Sequence, residues 1–319
     1  MYELELEKVA SEVTRRGARK VLVQAPDGLK QFLRDFIVEL SKLCKVYVSG
    51  SPCYGGCDLE YERAQILGVD LVIHIGHEKF LETKEPLPTL YIPALHSVEA
   101  GTLVAESARF LKERGYRRVG LLASVQHRNL IPEFAAVLEG AGISPAIDSK
   151  TGGVVLGCRT EGAKRLEEEV DAFLLIGGGD FHALGVALDV EKEVFIADPY
   201  RGAVRSSSHL KRRALAKRWW AISQTASARN VGLVVVMKTG QHNPLLAESI
   251  AAELEILGKE VFMIAAEEVN WERLSTFTFI ESFVVTGCPR IALDNREWIK
   301  PVLNEYEVRE LIRMLKGSK

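Results

Sequence analysis

No stretch of the 319 residues approaches the roughly 20 consecutive apolar residues that a helix needs to cross a bilayer. The opening segment MYELELEKVASEVTRRGARK is charged and lacks the apolar core of a secretory signal, so no membrane association and a cytoplasmic location are expected. A surplus of one charge is lacking too. Lys and Arg number 41 against 43 Asp and Glu, for a net charge of −2, which removes the overall basic field of a nucleic-acid binder. Cysteine is scarce: Cys44, Cys53, Cys57, Cys158 and Cys288 are odd in number, scattered and free of any CxxC pair. That argues against a disulfide framework and leaves packing, reactive thiols or metal ligation.

What is present is an internal repeat. The chain is too long for one ordinary core and suggests two or three domains. Three segments read alike, each a short apolar run, a turn and an amphipathic helix: VLVQAPDGLKQFLRDFIVEL, LLASVQHRNLIPEFAAVLEG and VVVMKTGQHNPLLAESIAAELEILG. Aligning them places Gln24, Gln126 and Gln241 in register. Further on, DLVIHIGH, DAFLLIGGG and SFVVTGC align at Gly76, Gly177 and Gly287. Each unit opens with a helical pattern, at Tyr2–Arg16, Val98–Arg114 and about His209–Ala228.

The apolar runs are short, nearly continuous and rich in Val, Ile and Leu, as strands covered on both faces are. Alternation with helices predicts an α/β fold of three repeated parallel-sheet domains: 1–96, 97–205 and 206–319. The first holds four strands, KVLVQA, KVYVSG, DLVIHI and TLYIPA. Such sheets bind ligands beyond the carboxyl ends of their strands, and three of them in pseudo-threefold arrangement could share a centre.

Each unit supplies one cysteine from a glycine-rich turn after an apolar run: Cys57 in VYVSGSPCYGGCD, Cys158 in GGVVLGCRT and Cys288 in FVVTGCPR. Glycine lets backbone approach a bulky object without a Cβ clash. Buried, inert thiols are the competing reading. Cys44 ends the amphipathic stretch FIVELSKLCKVYV and is expected to pack. Cys53 and Cys57 form a CxxxC pair, but a conventional CxxxCxxC motif is not completed, since position 60 is Glu60.

The segments SPCYGGCDL, HIGH, GGGDFH and TGCPRIALD resemble the diphthamide-synthesis family, of the archaeal type, and the likeness runs over almost the whole chain. In that family three repeated domains each give one cysteine to a single 4Fe–4S cluster. The resemblance implies Cys57, Cys158 and Cys288 as the ligands, with the cysteine after Tyr54-Gly55-Gly56 preferred over Cys53. Three thiolates leave one iron open, whereas a closed electron-transfer cluster takes four. The implied reaction transfers a 3-amino-3-carboxypropyl group from S-adenosylmethionine to an imidazole carbon of a histidine in translation elongation factor 2. The bond implied to break joins sulfur to Cγ, not to the adenosyl carbon. An electron donor and a homodimer are implied with it.

Among polar residues near these motifs, His77, His182, Gln241, Arg290 and Asp294 are candidates for holding S-adenosylmethionine. The turns that carry them suit a carboxylate or a ribose, and arginine pairs with carboxylates bidentately. A purely structural role is open for each, and equally for Gln24 and Gln126. The basic run KRRALAKRWW reads first as a helix with a solvated charged face and a buried aromatic face, and second as a docking surface. Two rival functions are open to the same residues. One is a quinolinate-synthase-like dehydratase with the same cluster and no S-adenosylmethionine. The other is a non-catalytic tandem α/β binding protein.

Overall fold

A computed structural model of the chain describes residues 2–80, 82, 84–294 and 298–317. Three sheets follow one another along the sequence. The first contains β1 (Lys20–Gln24), β2 (Lys45–Val48), β3 (Leu71–Ile75) and β4 (Thr89–Ile92), in the order β2-β1-β3-β4. The second contains β5 (Arg118–Ala123), β6 (Ser144–Ala146), β7 (Ala172–Ile176), β8 (Glu193–Asp198) and β9 (Ala203–Ser206), in the order β6-β5-β7-β8-β9. The third contains β10 (Asn230–Val236), β11 (Glu260–Ala266), β12 (Ser282–Val285) and β13 (Val302–Leu303), in the order β11-β10-β12-β13. Within these three sheets all pairs are parallel except β8–β9. The α/β reading and the four strands of the first repeat are therefore as expected.

The same strand order recurs three times, second-first-third-fourth, and the ladder fixes the equivalences. Gln24 pairs with His74, Leu122 with Leu175 and Val234 with Val285, each partner lying two residues before Gly76, Gly177 or Gly287. The three glycines are thus equivalent, and the three glutamines are not. Gln24 ends its strand, while Gln126 sits in a 3-10 turn and Gln241 lies further on in a turn after β10. The turn after the first strand differs in length between repeats, which shifts the glutamines without disturbing the sheets.

Packing repeats with compensation. In the second and third sheets a glycine on the first strand faces a phenylalanine on the third, Gly120 with Phe173 and Gly232 with Phe283. The equivalent pair in the first sheet is Leu22 with Val72. A large residue beside none has been exchanged for two of middle size, which conserves volume in a close-packed layer.

A polar latch also repeats. Asp70 Oδ2 accepts from the backbone N–H groups of Arg19 and Lys20 at 2.7 and 2.9 Å. Asp171 Oδ2 does the same for Arg117 and Arg118 at 2.8 and 2.9 Å, and Glu281 Oε2 for Arg229 and Asn230 at 2.7 and 2.8 Å. Each carboxylate precedes the third strand and satisfies donors where the first strand begins. These hydrogen bonds hold all three carboxyls below the ordinary acid range.

The opening helices are Leu6–Arg16, Gly101–Glu113 and Ser208–Ser227. The first starts later than its pattern suggests. Glu5 takes a left-handed backbone at φ 48, and Tyr2–Glu3 pairs antiparallel with Leu95–His96 instead. The third helix carries KRRALAKRWW, and the expected buried aromatic face is wrong. Trp219 and Trp220 are 56% and 46% exposed, because the helix buries its small face, Ala214, Ala221, Ile222 and Thr225. Contacts divide the chain into two compact units, Met1–Ser207 with the first two sheets and Ser208–Lys319 with the third. Among the described residues, no helix is long and apolar enough to cross a membrane.

Candidate functional site

In the first unit the Cys57 loop follows the carboxyl end of β2, and the Cys158 turn follows the Val154 bridge to Ala123 at the carboxyl end of β5. Gln24, fully buried at the end of β1, donates from Nε2 to the carbonyl of Asp58 at 2.5 Å, and so holds the residue after Cys57. Asp58 Oδ2 in turn accepts from the N–H of Tyr54 at 3.2 Å. Gly56 is obligatory: a Cβ there would stand 2.3 Å from the carbonyl oxygen of Glu78. The Cys57 loop therefore lies flat against the segment Glu78–Phe80.

The Cys158 turn is anchored to that same segment. Leu156 and Arg159 exchange backbone hydrogen bonds at 3.0 and 3.3 Å, closing a tight turn with Gly157 and the exposed Cys158 at its tip. Arg159 Nη2 donates to the carbonyl of Phe80 at 2.6 Å, and its guanidinium lies 3.9 Å from the Phe80 ring centroid. Behind the turn, a Cβ on Gly157 would strike the Phe181 ring, and one on Gly185 would stand 2.3 Å from the Gly157 carbonyl. Two of the three candidate cysteines are thus positioned by one short clamp. Arg159 had no motif to mark it in the sequence.

Gln126 donates from Nε2 to the carbonyl of Gly76 at 2.6 Å, and Arg128 pairs with Glu78. Gln24 and Gln126 therefore spend their amides on backbone, which is the structural role. An open cleft of about 380 Å³ lies nearby, lined by Gln126, His127, Gly178, His182 and Tyr200 among others. His182 is half-buried in the first turn of the helix Phe181–Asp189.

His74 is fully buried on β3. Its Nδ1 lies 3.3 Å from Gln24 Oε1 and its Nε2 lies 3.0 Å from His77 Nδ1. Burial lowers His74 to about 3 and His77 to about 4, so both rings are neutral. Burial also pushes the Cys53 thiol up to about 12, with the Asp58 charge adding to it. His127, whose Nδ1 is 2.8 Å from Ser124 Oγ, falls to about 4 through burial. Cys44 packs against the core of the first sheet as expected, its thiol raised mainly by burial. Among the described residues, no disulfide joins any of the five cysteines.

The buried histidines give a pH prediction. An unfolded imidazole titrates near 6.5. With the native values lowered, the unfolded chain takes up protons first as pH falls. The stability is fully present above about pH 7 and is lost progressively below about 6.5, toward the native values, at up to about 1.4 kcal/mol per pH unit per group. Denaturant titrations of the metal-free chain at about pH 7 and about pH 5 should differ by roughly 2 kcal/mol or more, with pH 7 the more stable. Equal midpoints would show that these rings are solvated.

In the second unit Cys288 is half-buried after β12. Its carbonyl accepts from the Ile291 N–H at 3.1 Å, and Asn304 holds the Pro289 carbonyl at 3.0 Å. Gly287 has no room for a Cβ, which would stand 2.3 Å from Val236. Arg290 is buried beside Cys288 in sequence, and Gln241 is half-buried in the turn after β10, its N–H donating to the Lys238 carbonyl at 2.9 Å. The side chain of Asp294 lies outside the described residues.

The chain matches a family profile of diphthamide synthesis proteins over residues 25–317. It is 33% identical over 321 residues to the 2-(3-amino-3-carboxypropyl)histidine synthase of Pyrococcus horikoshii, covering 98% of this chain and 91% of that protein. The protein of the same name from Methanocaldococcus jannaschii is 29% identical, with 100% and 91% covered. Subunit 1 of the mouse synthase is 27% identical, with 96% and 71% covered. The crystal structure of Dph2 from Pyrococcus horikoshii with a 4Fe–4S cluster superposes with a TM-score of 0.89 at 31% identity, covering 98% and 92%. The chain belongs to the diphthamide-synthesis protein family.

Proposed function

We propose that this protein is a 2-(3-amino-3-carboxypropyl)histidine synthase, in which Cys57, Cys158 and Cys288 hold one 4Fe–4S cluster. The observation that carries the reading is the pair of cysteine turns clamped to Glu78–Phe80, each built with glycines that leave no space for a side chain. Soft thiol donors in open glycine turns suit iron–sulfur ligation, and the superposed relative is described with such a cluster. The three repeats, bounded near residues 96/97 and 205/206, are proposed to stand in pseudo-threefold arrangement, each giving one cysteine.

When bound and reduced, the cluster supplies the electron that breaks the S–Cγ bond of S-adenosylmethionine. This chain's residues bind and orient that molecule. The 380 Å³ cleft is in the size range of small-molecule sites and presents His182. Gln241, Arg290, His182 and Asp294 are proposed as its contacts, Arg290 for the methionine carboxylate. His77 Nδ1 is engaged by His74 Nε2 at 3.0 Å. The acceptor is a histidine of translation elongation factor 2, and an electron donor, a homodimer and a cytoplasmic setting complete the proposal.

Product analysis tests it. Anaerobically purified protein should contain iron and acid-labile sulfide. With dithionite it should convert S-adenosylmethionine to methylthioadenosine. Mainly 5′-deoxyadenosine would keep the cluster and remove the proposed bond cleavage. No turnover of S-adenosylmethionine, with a cluster present, would favour the dehydratase. A colourless, iron-free protein would favour a binding module.

A further inference from the structure

We propose that Cys53, His74 and His77 form a second metal site, for a single divalent ion of the zinc class, distinct from the proposed cluster. Their ligand atoms all lie within 4.8 Å of one another. A tetrahedral ion bound by two imidazole nitrogens at about 2.0–2.1 Å sets those nitrogens roughly 3.3 Å apart. His74 Nε2 and His77 Nδ1 already stand at 3.0 Å. The close approach has a backbone cause. His74 and His77 are three residues apart, which on a continuing strand would put them on opposite faces. Gly76 reverses the chain at φ +92 and brings His77 back over His74, and a side chain at 76 would collide with Leu29.

The surroundings are those of a ligand, not of a filler. A metal-binding histidine characteristically donates its other ring nitrogen to an oxygen that fixes its orientation. Gln24 must turn its Nε2 toward the Asp58 carbonyl, so it is Oε1 that faces His74 Nδ1. Nδ1 therefore carries the proton, and Nε2 presents a lone pair toward His77 and Cys53. Cys53 and His74 are buried, and among the described residues no carboxylate belongs to this cluster. One thiolate and two imidazoles suit zinc and exclude calcium and magnesium, which demand oxygen. On binding, Cys53 loses its thiol proton to solvent, and the proton on His77 Nδ1, the ligand atom, moves to Nε2. An ion here cross-links the loop carrying Cys57 to β3, four residues before the proposed cluster ligand.

The test uses the full chain, anaerobically reconstituted with iron and sulfide, desalted and titrated with Zn²⁺. Zinc and iron are measured in the same samples. Wild type should retain one zinc per chain. Cys53→Ser and His77→Ala should each bind zinc roughly 100-fold more weakly or worse, with iron unchanged. The zinc-edge X-ray absorption spectrum of the wild type should show one sulfur and two imidazole neighbours, which requires no variant to fold. Equal zinc in wild type and both variants would overturn the site, as would an edge spectrum without sulfur. Loss of iron in Cys53→Ser would overturn it too, by assigning Cys53 to the cluster. A wild type that binds this zinc but no iron would leave the site standing and remove the function proposed above.

Discussion

Cys158→Ala should strip the protein of its iron–sulfur absorbance and of S-adenosylmethionine cleavage, with the fold intact. Cys158 is exposed at the tip of the Leu156–Arg159 turn and fills no core space, so its truncation leaves no cavity. Under the proposed ligation its loss removes one of three thiolates, and two cannot keep an open-site cluster in place. The expected fall in cleavage is at least ~10³-fold, the scale of losing an essential group in a concerted site. Circular dichroism should show an unchanged melting midpoint for the cluster-free forms. Cys57→Ala and Cys288→Ala should lose the cluster as well. A full cluster in Cys57→Ala together with a lost one in Cys53→Ser would mean that the other member of the CxxxC pair is the ligand.

Gly185→Ala should destabilise the protein by roughly 1–2 kcal/mol net and deplete the cluster, although alanine is the better helix former. Position 185 lies inside the helix Phe181–Asp189, where propensity alone favours alanine by about 1 kcal/mol. The new Cβ would stand 2.3 Å from the Gly157 carbonyl, which is backbone and cannot rotate away. Overpacking of this kind costs about 1–3 kcal/mol or more and here displaces the turn that carries Cys158. Gly140→Ala is the internal control. It also lies in a helix, Ile131–Gly140, but its Cβ would meet nothing within 4 Å. It should be neutral or slightly stabilising. If both substitutions behave alike in chemical denaturation, the close packing beneath Cys158 does not carry its position.

The strands were legible because residues covered on both faces leave unbroken runs such as LVIHI, and β3 is buried along its whole length. The glycine alignment was legible for a related reason. Gly76, Gly177 and Gly287 follow the third strand in each sheet, and the ladder fixes them there. The glutamines misled because identical letters need not be equivalent: Gln24 ends β1, whereas Gln126 and Gln241 lie in turns of unequal length beyond β5 and β10. The latches of Asp70, Asp171 and Glu281 were invisible, since each joins residues about fifty apart through side chain and backbone with no local pattern. The clamp of Arg159 on Phe80 was hidden for the same reason. The exposed Trp219 and Trp220 show the limit of amphipathic reading: a helix that packs through alanines has no need to bury its largest side chains.

The central claim is transfer of the carboxypropyl group to one histidine of elongation factor 2. S-Adenosylmethionine labelled in its carboxyl carbon, incubated anaerobically with reduced enzyme and elongation factor 2, measures that directly. The account predicts stable label on the factor, matched by methylthioadenosine released, and no label on a factor whose target histidine is replaced. Equal labelling of the two factors, or methylthioadenosine released with the factor unlabelled, would contradict it.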